Sequence, residues 1–151
     1  MAGNYSNTGS WVPNVYSAGL RNVGSYEVSG TPWITGSFVS GGSGDERHIQ
    51  FPTVAKSVTI RAITGSNVAH VLRVHLDSIY SDNGGTDNVR TGGHFFFLKH
   101  PSDRTFTGKF KEIWLSVSNA TNSVDFEIIA ELTNIPTSSM FTLTGSGVND
   151  P

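Results

Sequence analysis

A chain of 151 residues without cysteine has no disulfide staple, no thiolate nucleophile and no cysteine-ligated zinc. A formal net charge of −2 leaves no basic field to hold nucleic acid, and no apolar run approaches the ~18 residues of a membrane span. Charged residues make up 15%, against about 25% in ordinary globular domains, so polarity comes from Ser, Thr, Asn and Gly, a mix suited to strands and turns.

Residues 1–44 read as an extended arm. This run is rich in Gly, Ser, Asn and Thr, and its only charges up to Gly44 are Arg21 and Glu27. It has no helical period. Spaced along it are Tyr5, Trp11, Tyr16, Tyr26, Trp33 and Phe38. Such aromatics are foreign to ordinary disorder, which is polar and charged. They are expected to anchor the arm on neighbouring subunits or a larger surface. A Gly-Ser pair before an apolar residue recurs at Gly9-Ser10-Trp11, Gly24-Ser25-Tyr26 and Gly36-Ser37-Phe38, in keeping with an extended, turning segment. The N-terminus lacks the basic-then-apolar pattern of a signal peptide, so folding in the cytoplasm is expected.

Residues 45–151 read as an all-β domain with a short C-terminal tail. Alternation of period two marks strands over Ser57–Thr64, Val68–Leu76, Phe110–Ser118 and Val124–Leu132. Their inward sets are Val58, Ile60 and Ala62; Val68, Leu72, Val74 and Leu76; Ile113, Leu115 and Val117; and Val124, Phe126, Ile128, Ala130 and Leu132. His94–Leu98 is apolar on both faces through Phe95, Phe96 and Phe97, as in a central strand or one covered by a partner. His48–Phe51 and Arg104–Phe110 are weaker candidates. Thr64-Gly65-Ser66-Asn67 and Ser118–Asn122 each read as a hairpin turn between consecutive strands. Seven or eight short strands predict an antiparallel β-sandwich or jelly roll.

Chemistry-bearing motifs are sparse. His70 and His75 point to opposite faces of a strand, His94 and His100 flank the Phe95–Phe97 run, and His48 stands alone. No metal-ligand spacing occurs; His70 is expected to be hydrogen-bonded near the core edge and the other histidines to lie on surfaces or interfaces. Asp82 and Asp87 sit in an oxygen-rich loop of the kind that suits Ca2+, without a Ca-loop motif. Ser146 lies in a Gly-Ser-Gly run with no helix after it. Glu112, Asp125, Glu127 and Glu131 occupy outward strand positions, where a solvated face is the ordinary role and a glycosidase pair the rare one. No enzyme activity and no cofactor are expected. Phe96 and Trp114 are candidate contacts on the domain, since large rigid aromatics dominate interface energies.

Several stretches together are similar to a known group. They are Asn22-Val23-Gly24-Ser25-Tyr26-Glu27-Val28-Ser29-Gly30-Thr31-Pro32-Trp33, Val54-Ala55-Lys56-Ser57-Val58-Thr59-Ile60, Phe110-Lys111-Glu112-Ile113-Trp114-Leu115 and Phe126-Glu127-Ile128-Ile129-Ala130-Glu131-Leu132-Thr133-Asn134-Ile135-Pro136, with Leu143-Thr144-Gly145-Ser146-Gly147 beyond. Over about residues 22–148 the chain resembles small virion structural proteins of tailed bacteriophages, especially those of marine and cyanobacterial hosts. The resemblance implies a capsid decoration (cement) protein, with the major capsid protein as partner, a homo-oligomer such as a trimer, and a place on the capsid surface. A collar, tail or fibre component with a glycan-binding β-domain is the alternative. A free carbohydrate-binding module or hydrolase is a third reading, with Glu112 or Glu131 as its acids.

Overall fold

A computed structural model describes residues 30–41, 45–63, 71–78, 93–118 and 123–140. Tyr5, Trp11, Tyr16, Tyr26, His70, Asp82, Asp87 and Ser146 lie outside the described residues. The fold is all-β. Six strands are present among the described residues: β1 Thr31–Val39, β2 Glu46–Ala62, β3 Val71–His75, β4 Phe96–Lys99, β5 Asp103–Val117 and β6 Val124–Leu132. They form one antiparallel sheet in the order β1-β6-β2-β5-β3-β4.

The alternating patterns dictate the burial. Val124, Phe126, Ile128, Ala130 and Leu132 of β6 are all buried, as are Val58, Ile60 and Ala62 of β2 and Ile113, Leu115 and Val117 of β5. Leu72 and Val74 of β3 and Leu98 of β4 join the same core. A period of two puts every second side chain on one face, so one register suffices to bury each set.

Strand pairing departs from the hairpins expected of the turns. β5 lies between β2 and β3, so Thr64–Asn67 does not join paired neighbours. Likewise β2 lies between β5 and β6, so Ser118–Asn122 does not close a hairpin. Turn residues report that the chain leaves a strand; the partner is chosen by long-range burial. The two weak candidates, His48–Phe51 and Arg104–Phe110, are halves of the longest strands, β2 with 17 residues and β5 with 15. Nor is the phenylalanine run a central strand among the described residues: β4 is an edge there.

β2 changes partners along its length. Glu46–Gln50 pairs with Glu112–Ser116 of β5, whereas Ser57–Arg61 lies between Asp103–Thr107 of β5 and Glu127–Glu131 of β6. The register shifts between Gln50 and Ala55, and again before Ser57. Pro52 sits inside this irregularity, where a residue without an N–H is tolerated. The chain beyond β6 satisfies the interrupted backbone. Val54 N–H donates to the Ile135 carbonyl at 2.9 Å, and Thr133 N–H donates to the Val54 carbonyl at 2.8 Å. Val54, Ile135 and Met140 form a second small apolar cluster there.

The segment 1–44 contains a strand of this sheet. β1 runs along β6 without a register break, from Thr31 opposite Leu132 to Val39 opposite Val124. Gly36-Ser37-Phe38 is therefore continuous extended strand. Gly36 fits closely there, because a Cβ would stand 3.3 Å from the Phe126 carbonyl oxygen. No helix among the described residues is long and apolar enough to cross a membrane.

Candidate interaction surfaces

The first surface is the β1 end of the sheet. Pairing with β6 turns Trp33 inward and leaves the even-numbered residues outside. Trp33 packs against the core and meets Phe51 edge-on, ring centroids 5.3 Å apart. Of the two arm anchors in the described residues, Trp33 thus packs within its own chain, whereas Phe38 stays outside. Ile34, Phe38 and Ile129 are 71%, 58% and 51% exposed. Ile34 and Ile129 are cross-strand partners, so the apolar exposure is contiguous. Carboxylates surround it: Asp125 opposes Phe38, Glu127 opposes Gly36, and Glu131 opposes Pro32.

The second surface is the β4 end. Phe96 and Phe97 are 45% and 53% exposed. Cations organise these rings. The Arg73 guanidinium lies 5.0 Å from the Phe95 centroid and 5.9 Å from that of Phe97. Arg104 lies 4.3 Å from the Phe96 centroid. Phe96 also meets Phe106 of β5 edge-on at 5.7 Å. That contact brings the outermost strand back over β5, so the sheet curls. Its concave side holds a half-open pocket of about 640 Å³ lined by Val58, Ile60, Val74, Phe96, Phe106 and Phe110.

The third surface is the outer face of β2 and β5 around Trp114. The indole is half-buried, and the His48 imidazole stacks on it at 4.3 Å with 5° between the planes. His48 Nε2 and Glu112 Oε2 are 2.9 Å apart, and Lys111 Nζ lies 3.3 Å from Glu112 Oε1. Both carboxylate oxygens of Glu112 are thereby engaged. Glu131 pairs with Lys56 at 3.3 Å. Glu112 opposes Gln50 and Glu131 opposes Ser57, on the two opposite sides of β2 and at different heights along it. With strands about 4.8 Å apart and ~3.3 Å of rise per residue, this exceeds the roughly 5–9.5 Å of a glycosidase pair.

Among the described histidines the buried one is His75, which the sequence reading placed on a surface or interface. It is 2% exposed. Nδ1 lies 2.6 Å from the Asp77 carbonyl oxygen and Nε2 lies 3.1 Å from Ser116 Oγ. A neutral ring satisfies both, with Nδ1–H donating to the carbonyl and Nε2 accepting from the hydroxyl. Burial pushes its pKa below 6.5, against the opposing pull of the Asp77 carbonyl. No sequence signal separated it from the other histidines, because its burial comes from β5 and the chain after β3. Among the described residues no group of three or more His, Asp or Glu is placed to hold a metal ion.

No protein-family model matches this chain, and no curated protein sequence matches it.

Proposed function

We propose that this chain is an assembly protein: a bacteriophage virion structural protein that decorates the capsid, binding and stabilising the shell of the major capsid protein. The supporting observation is the exposed apolar pair Ile34 and Ile129 across β1 and β6, with Phe38 exposed further along the same face of β1. Contiguous exposed apolar surface rimmed by polar groups marks an interaction site. In this reading the sheet, curled over its core like a jelly roll, is a rigid platform. Tyr5, Trp11, Tyr16 and Tyr26 lead into one end of it and engage the capsid protein. Self-association into a trimer multiplies weak contacts by avidity. The protein is made in the host cytoplasm and resides on the capsid surface.

The alternative, a collar, tail or fibre component that reads host glycans, needs an open aromatic platform. Trp114 or the Tyr80–Arg90 loop would supply it; His48 covers one face of the Trp114 ring, and residues 80–90 lie outside the described residues.

Removal of residues 2–21 tests the proposal. Particles lacking the protein are incubated with full-length or shortened chain, and occupancy is read by sedimentation and cryo-EM. The shortened chain should keep its β-sheet circular dichroism and lose shell occupancy. Saturation of the shell by the shortened chain would overturn the proposal.

A further inference from the structure

Edge strands leave a row of unpaired backbone donors and acceptors, and soluble proteins guard them with charge, proline, bulges or shortness. Among the described residues β1 is an edge of the sheet and is weakly guarded. It has nine residues, carries no charge, runs without a register break, and has a proline only at its second position, Pro32. β4 is the other edge of the same sheet, a four-residue strand ending in Lys99.

The two ends differ in charge. β1 and β6 together carry Asp125, Glu127 and Glu131 and no lysine or arginine. β3 and β4 together carry Arg73 and Lys99 and no carboxylate. Both ends expose large apolar side chains on the outer face: Ile34, Phe38 and Ile129 at one, Phe97 at the other.

We infer that copies of this chain associate head to tail, the β1 edge of one copy adding to the β4 edge of the next. The outer faces then become continuous, with Phe97 and Lys99 of one copy beside Ile34 and Phe38 of another. β6 would stand two strand spacings, about 9.6 Å, from the added β4. Lysine and glutamate side chains together span that distance, so Lys99 reaches Glu127 of β6, whose neighbour Glu131 is already paired with Lys56. A two-fold pairing of β1 with β1 brings no opposite charge to Glu127, which is why the head-to-tail contact is favoured. A contact of this type closes into a ring when its rotation permits, and extends into a filament when it does not. The inference rests on the assembly reading for its purpose, but its test needs no shell.

Sedimentation velocity over a concentration series of the full chain supplies the test. Three samples are compared: wild type, Ile34→Lys, which charges the β1 edge, and the double variant Phe97→Ser with Lys99→Glu, which alters the β4 edge. All three positions are exposed, and unchanged circular dichroism and thermal melting verify folding. The wild type should sediment as an oligomer and each variant as a monomer, with association at least tenfold weaker. An equimolar mixture of the two variants should form a dimer, because each retains the edge that the other lacks. A monomeric wild type, a β4 variant that associates like wild type, or a mixture that stays monomeric would each overturn the inference. Loss of shell binding by an oligomer that still forms would count against the capsid reading alone.

Discussion

The hydroxyl of Thr133 donates to the carbonyl oxygen of Val54 at 2.7 Å, inside the stretch where β2 leaves its ladder with β5. The same hydroxyl accepts from the Ile135 N–H at 3.1 Å. Thr133 is 2% exposed, so water does not replace these bonds on substitution. Thr133→Val keeps the shape and removes both bonds, leaving the Ile135 N–H without its acceptor. The expected loss is about 1–3 kcal/mol. Urea denaturation should show a lower midpoint with an unchanged slope, and Thr133→Ser should recover most of the difference.

Buried His75 makes stability depend on pH. Its folded pKa lies below 6.5, the unfolded value, so between the two the unfolded chain binds more protons. Stability is therefore complete above pH 6.5 and declines as pH falls from there toward the lowered folded pKa. Glu46 and Asp77 favour the charged ring and Arg73 opposes it, but desolvation outweighs them all. Denaturant midpoints measured from pH 7.5 to 5 should fall for wild type. His75→Gln should flatten that slope; an equally steep decline in the variant would show that other groups are responsible.

Adjacent isoleucines of β6 should respond oppositely to truncation. Ile128 is fully buried, and Ile128→Ala should cost about 2–5 kcal/mol. Ile129 is 51% exposed, and Ile129→Ala should shift unfolding by no more than about 0.5 kcal/mol in dilute monomer. Chemical denaturation of both variants reads the contrast directly.

The His48–Glu112 contact is partly exposed, its side chains 37% and 18% accessible. Solvent screening keeps such pairs near 0–1 kcal/mol. Glu112→Gln should therefore lower stability by less than about 1 kcal/mol in thermal or urea unfolding. A larger loss would mean that the imidazole and indole depend on the carboxylate for their stacking.

The legible part of the sequence was the local period. β6 reads correctly from end to end, and the inward sets of β2 and β5 follow from alternation alone. Pairing was not legible. Nothing in Thr64–Asn67 states that β5 will insert between the flanking strands, because that choice depends on burying both faces of distant segments. β1 was obscured for a different reason: Gly36 and Ser37 dilute its alternation, and the pattern becomes visible only once Trp33 is seen on Phe51. Pro52 was an available clue to the break in β2, since a proline inside a strand marks a bulge or an edge. Of the candidate contacts, exposure of Phe38 could be anticipated from an aromatic residue in a Gly- and Ser-rich stretch. Burial of His75 could not, because it depends on β5, whose Ser116 lies 41 residues away in sequence.

Val39 and Val124 face each other across the ladder that joins the first strand to the last. During translation the first of these valines leaves the ribosome long before the second has been synthesised. Until then β1, with Trp33, Ile34, Phe38 and Val39, lacks its β6 partner. Completion of the sheet therefore waits for β6, and in a cell producing many copies at once it competes with capture of β1 by a sister chain.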